Sequence, residues 1–282
     1  MTTKLHPLRL FDVTLRESIK PMKHWSTTPL ALKQFRFKHI VHTHNPPNIE
    51  IGSLTLPHML DFDTMFQFSN NYLQQNRINT NIYMAVPSKQ KRFEMAHELG
   101  VKNISVAVST SDYFKTVTNR IINKVSESGK FESVKVYISC SDVCLETGKA
   151  VTVDMIADNI CKYVFCKGVS EVTLYDDVGT LEQNSLINII CHLRNRKVPF
   201  SKIGLHFNRK ITSIPTNMHL LGGICIANGI TNIDVSYITD NGCNLTVGDN
   251  DMNTNTQYDD LDAIEAAYER VKMNEELIIN YY

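Results

Sequence analysis

The sequence predicts an α/β protein built on a parallel sheet. Short apolar and β-branched runs recur along its 282 residues, with longer stretches of helical spacing between them. That alternation is the mark of βαβ units. Eight such runs are enough to close a cylinder, so the expected fold is a (β/α)8 TIM barrel, a single domain over 1–282, within the size range of that architecture. The rival, an open doubly wound sheet, would carry a Gly-x-Gly-x-x-Gly turn after its first strand. No such turn follows the first run.

In chain order the strand candidates are Leu8–Val13, Asn48–Ile51, Asn81–Val86, Asn103–Val108, Val134–Ser139, Glu171–Leu174, Ile203–Phe207 and Ile233–Val235. Each is short and rich in Val, Ile and aromatic residues, as strands are. Four of the intervening stretches have clear helical spacing. Val153–Lys167 places Met155, Ile156, Ile160, Tyr163 and Val164 on one face, and Leu186–Arg194, Asn217–Asn228 and Leu261–Leu277 follow. The polar stretch Gly248–Thr256 reads as a long loop.

Composition narrows the function. Lys plus Arg and Asp plus Glu number 29 each, so the net charge is zero. Nucleic-acid and membrane-surface binders need a basic excess or stripe. A small-molecule substrate is expected, with no nucleic-acid and no membrane partner. The seven cysteines (Cys140, Cys144, Cys161, Cys166, Cys191, Cys225, Cys243) form no Cys-x-x-Cys pair. Neither a disulfide scaffold nor a zinc finger is expected, and the thiols suit a reducing compartment. Met1–Leu10 lacks the apolar core of a signal peptide, and no run approaches a membrane span. The expected location is cytoplasmic.

Barrel enzymes place their chemistry at the C-terminal ends of the strands. Arg16 and Glu17 fall just after the first strand, Glu50 in the second, and Asp176 and Asp177 after the sixth. His206 and Asn208 end the seventh, Asp240, Asn241 and Cys243 follow the eighth, and Asn255 lies in the long loop. Taken singly, each has a plain alternative: a helix cap for Glu17, a core histidine for His206, a turn for Asp176, an inert thiol for Cys243. Taken together they share one rim. Carboxylate, imidazole and amide ligands suit a hard or borderline divalent cation, Mg²⁺ or Mn²⁺. His206 and Asn208 are two apart, so on a strand both point the same way.

Several segments resemble one family in register. Phe11–Ser18 (FDVTLRES) resembles the D-x-T-L-R-[DE]-G opening of the DRE-TIM metallolyases. These pyruvate carboxyltransferase-domain proteins include 3-hydroxy-3-methylglutaryl-CoA lyase, isopropylmalate and homocitrate synthases, and 4-hydroxy-2-oxovalerate aldolase. Ile49–Asp61, Val134–Lys149, Val172–Thr180 (VTLYDDVGT), Gly204–Asn208 (GLHFN), Asn241–Asn244 (NGCN) and Asn255–Leu261 (NTQYDDL) resemble further motifs of the lyase branch. Ser109–Asn119 resembles a segment near the site more loosely.

The resemblance implies roles. Arg16 would stabilise an enolate oxyanion, Glu50 would hydrogen-bond beside it, Asp176 would be the active-site Asp, and His206 and Cys243 would move protons. Glu17, His206, Asn208 and Asn255 would hold the divalent metal. The implied reaction is a retro-Claisen cleavage of a 3-hydroxy acyl-CoA to an acyl-CoA enolate and a keto acid, in a homodimeric enzyme. Three other activities are left open: a catalytically inactive binding or regulatory barrel, an acyl-CoA-condensing synthase, and a 4-hydroxy-2-oxo acid aldolase. Some positions depart from the family pattern. Asn208 stands where the second His of H-x-H is expected, Ser18 for a Gly, Lys20 for a Gln or His, and Asp177 for a Thr.

Overall fold

In a computed structural model the chain is described over residues 8–17, 30–55, 61–108, 120, 122–140, 149–176, 179–210, 216–237 and 253–273. Eight parallel strands close into a barrel: β1 (Arg9–Asp12), β2 (Asn48–Ser53), β3 (Asn81–Ala85), β4 (Asn103–Val108), β5 (Ser133–Ser139), β6 (Val169–Asp176), β7 (Ile203–Lys210) and β8 (Asn232–Val235). Neighbours pair in sequence order, β8 returns to β1, and the β6–β7 pairing completes the ring. All eight expected strands form, with ends shifted by at most three residues.

The helices form the outer layer. They are α1 (Thr14–Glu17), α2 (Leu30–Thr43), α3 (Phe62–Asn76), α4 (Gln90–Glu98), α5 (122–127), α6 (Val153–Val164), α7 (Gln183–Asn195), α8 (Thr216–Ala227) and α9 (Leu261–Met273). α6 begins where the Thr152 hydroxyl accepts the Met155 N–H at 3.3 Å, an N-cap. It buries Ile156, Ile160, Tyr163 and Val164, much of the face its spacing predicts. α8 and α9 touch closely: a Cβ on Gly223 would lie 2.7 Å from the Tyr268 backbone nitrogen.

Strand alternation sorts the side chains into two very different layers. Ile49, Ile82, Met84, Ile104, Val106, Val134, Val136, Val172, Leu174, Leu205 and Ile233 belong to the large apolar core with the helices. The opposite strand face carries Glu50, Tyr83, Ser105, Lys135, Tyr137, Thr173, Tyr175, His206, Asn232 and Asp234, and the pairing register sets these residues side by side around the ring. A separate small cluster of Phe11, Val13 and Tyr83 lies apart from the large core. Barrel interiors are usually filled by Val, Ile and Leu, so this one is unusually polar.

One element was not expected. Within the stretch read as a loop, β9 (Asn253–Asn255) pairs antiparallel with the end of β7. Its sequence, Asn-Thr-Asn, has none of the apolar or β-branched character that marks a strand core, apart from one threonine. The pairing with β7 supplies the structure instead.

Candidate active site

The chain leaves β1 through the single turn of α1, and that turn buries both Arg16 and Glu17. Arg16 lies between two carboxylates. Its Nη2 is 2.9 Å from Glu17 Oε1, and its Nε is 2.5 Å from Glu50 Oε2 on β2. Burial opposes the Arg16 charge, but Glu50 and Glu17 outweigh it and hold the guanidinium above its usual range. Burial pushes the Glu50 carboxyl up, against the pull of Arg16 and a hydrogen bond donated by the Ser105 hydroxyl. The Arg16 guanidinium also stacks 4.9 Å from the centre of the Tyr137 ring.

Tyr137 also packs T-shaped against His206, with ring centroids 5.8 Å apart, and Tyr175 packs edge-on to His206 at 4.7 Å. Arg16 and His206 therefore both contact one aromatic ring. His206 and Asn208 are both buried on β7, as their spacing predicts. The β7–β9 register sets Asn255 directly opposite Asn208, so three of the four expected metal ligands meet at the end of one strand pair. Phe207 O accepts the Thr256 N–H at 3.2 Å and Asn255 O accepts from the Gln257 amide at 3.0 Å, which pins the turn.

The donor set fits a divalent cation. His206 Nε2 and both polar atoms of the Asn255 side chain are buried, and none has a hydrogen-bond partner among the described residues. Buried polar atoms are rarely left so, and an ion is one of the standard explanations. Among the described residues no three His, Cys, Asp or Glu side chains gather as a metal site. The expected set contains only two such residues, Glu17 and His206, its other members being amides.

Asp176 has the opposite strand parity from Tyr175. Its Oδ1 accepts the Gly179 and Thr180 N–H groups at 2.8 and 3.1 Å, and Oδ2 accepts the Leu181 N–H at 3.2 Å. The carboxylate thus ties down the loop after β6. Cys243, Lys20, Ser18, Asp177, Asp240, Asn241 and the segment 109–119 lie outside the described residues. Cys161, Cys166, Cys191 and Cys225 are free thiols.

Sequence reasoning missed a polar group below the mouth. Asp234 on β8 accepts from Lys135 Nζ at 2.5 Å and from the Tyr137 hydroxyl at 2.7 Å, and lies 3.0 Å from His206 Nδ1. Lys135 also pairs with Glu171 at 2.8 Å, and its Nζ sits 3.6 Å over the Phe11 ring. Burial alone would raise the Asp234 carboxyl, but Lys135 and His206 bring it down to about 2. Burial works against the Lys135 charge, yet Asp234 and Glu171 hold it above its usual range. A signal was available: Val-Lys-Val-Tyr-Ile-Ser on β5 alternates, and its polar members must share a face.

No protein-family model matches the sequence, and no curated protein does. Solved structures do match the fold. The hydroxymethylglutaryl-CoA lyase of Pseudomonas aeruginosa superposes with a TM-score of 0.73 at 21% identity, covering 94% of this chain and 92% of that one. An HMG-CoA lyase of Acinetobacter baumannii, solved with coenzyme A and 3-methylmalate, gives 0.71 at 17% identity, covering 97% and 92%. The multifunctional pyruvate carboxylase of Rhizobium etli gives 0.58 at 11% identity, with 84% of this chain matched to 24% of that one. At these identities the likeness establishes a shared barrel fold. Among the described residues no helix is long and apolar enough to cross a membrane.

Proposed function

We propose that this chain is a divergent divalent-metal-dependent carbon–carbon lyase of the DRE-TIM type, cleaving a 3-hydroxy acyl-CoA. The observation that carries the reading is the convergence of Arg16, backed by Glu17 and Glu50, and the His206–Asn208–Asn255 group around the Tyr137 ring. The in-register motifs and the lyase folds among the structural neighbours support it.

Glu17, His206, Asn208 and Asn255 are the residues that would hold Mg²⁺ or Mn²⁺. Such an ion supplies Lewis-acid polarisation of substrate oxygens. The remaining work falls to the chain. A base takes the proton from the tertiary hydroxyl, the adjacent carbon–carbon bond breaks, and its electron pair passes into the thioester carbonyl as an enolate, leaving a keto acid. Arg16, held rigid by two carboxylates, meets the developing oxyanion without reorganising. Delivery of a proton to the enolate carbon would fall to Cys243 or His206.

The test is thermal unfolding with Mg²⁺ or Mn²⁺, using Glu17→Ala and His206→Ala as controls. An ion at 100 times its Kd stabilises by about 2.7 kcal/mol, a rise of about 5 °C for a chain of this size. Both variants should lose that rise. Turnover of 3-hydroxy acyl-CoA and 4-hydroxy-2-oxo acid substrates then separates lyase from aldolase, and Arg16→Ala should lower kcat by about 10²–10³. If no ion shifts the wild-type midpoint, the metalloenzyme reading fails and a non-catalytic binding barrel takes its place.

A further inference from the structure

We propose that Asp234 is the positioning residue of the site: it holds the Nδ1 side of His206, so that the ring presents a bare Nε2 to the barrel mouth. What Nε2 does there rests on the lyase reading above. Which nitrogen carries the proton does not.

The geometry leaves the carboxylate little freedom. Its Oδ1 accepts from Lys135 Nζ at 2.5 Å, and its Oδ2 accepts from the Tyr137 hydroxyl at 2.7 Å. An ionised carboxylate has no proton to give. The 3.0 Å contact between Oδ2 and His206 Nδ1 therefore requires the ring to donate from Nδ1. A neutral imidazole has one N–H, so Nε2 is left with its lone pair. That Nε2 atom is buried and has no hydrogen-bond partner among the described residues. Tyr175 and Tyr137 pack edge-on against the ring at 4.7 and 5.8 Å and resist its rotation.

The group is also anchored from below. Lys135 is tied to Glu171 on β6 at 2.8 Å and covers the Phe11 ring on β1. Asp234 is thus braced by β5, β6 and β1 while it orients a residue on β7. A carboxylate behind a ligand histidine is a recurrent way of fixing its tautomer and direction. Filling the barrel would not by itself need such an arrangement, because buried ion pairs seldom add stability over apolar packing.

The test reads the tautomer first. Histidine 15N spectra of the whole chain, with His206 assigned by its loss in His206→Gln and read at the alkaline end of a pH series where the ring is neutral, should show Nδ1 protonated and Nε2 bare. A wild-type His206 protonated at Nε2 overturns the proposal, whatever any variant does. In Asp234→Asn the new amide can donate to Nδ1. The ring should then move toward the Nε2-protonated form, and Asp234→Glu should restore the original form at least in part. If wild type binds Mn²⁺, followed by its electron paramagnetic resonance, Asp234→Asn should weaken binding by about 10- to 100-fold. An Asp234→Asn chain that folds with tautomer and Mn²⁺ affinity unchanged also overturns it. Should wild type bind no Mn²⁺ yet show the Nδ1–H tautomer, the lyase reading falls and Asp234 keeps its role.

Discussion

Arg16 and Glu50 meet at 2.5 Å with both side chains almost out of solvent, whereas Lys102 and Glu132 meet at 2.9 Å with 70% and 66% of theirs exposed. The distances are alike and the consequences are not. Removing one partner of a buried pair strands the other charge and costs about 3–5 kcal/mol, while exposed pairs are worth about 0–1 kcal/mol. Glu50→Ala, which leaves Arg16 paired with Glu17 alone, should therefore lower the unfolding free energy by about 3 kcal/mol, the low end of that range, in urea titrations, and Glu132→Ala by less than about 1 kcal/mol. Equal losses would mean that the mouth is wetter than the packing of Arg16 implies. The same contrast explains which residues could be read in advance. Arg16, Glu17 and His206 fall at strand ends, where polar residues invite a functional reading. Asp234 hides inside the apolar run Ile233–Val235, and only its partners on β5 and β7 show that it faces inward.

At the scale of elements, the eight barrel strands were legible because each has one face on the helices and needs Val, Ile or Leu there. β9 was not, because its stability comes from β7 and from the turn behind it. That turn depends on backbone contacts: Thr256 donates to Phe207 O, and Ser236 donates to Thr256 O at 2.8 Å. Proline at 256 lacks the N–H and removes the first of these. β9 is not part of the ring of eight, so Thr256→Pro should leave the barrel folded while detaching Asn255 from Asn208. The expected result is near-native circular dichroism with Mn²⁺ affinity reduced about 10-fold or more. Unchanged Mn²⁺ affinity in a folded variant would exclude Asn255 as a ligand.

For the molecule as a whole, what matters is that its polar groups occupy both layers of the barrel. Most lie inside the ring, but Asp12 has the parity of the apolar outer layer, in step with Ile49 and Val235. There it accepts from the Thr14 N–H and hydroxyl and from the Tyr258 hydroxyl at 2.9, 3.1 and 2.9 Å. Among the described residues the groups that act on it most are these donors, and Asp234 adds a further negative charge from the neighbouring strand. Burial therefore dominates, and the Asp12 pKa rises to about 7 from an ordinary 3.8. A carboxyl raised on folding stabilises the native state fully below its unfolded pKa, and that contribution disappears as pH climbs through the folded one. Between about pH 4 and 7 the folded chain should thus lose stability on the order of 4 kcal/mol from this one residue. Asparagine keeps the shape and cannot ionise, so Asp12→Asn should flatten that slope. The measurement is urea unfolding of both proteins from pH 4.5 to 7.5 with a chelator present, so that ion binding does not contribute. The gap between them should turn in favour of the variant as pH rises. A gap that stays constant across the range would mean that Asp12 is ionised in the folded chain, with a cation or water reaching it through the strand–helix layer.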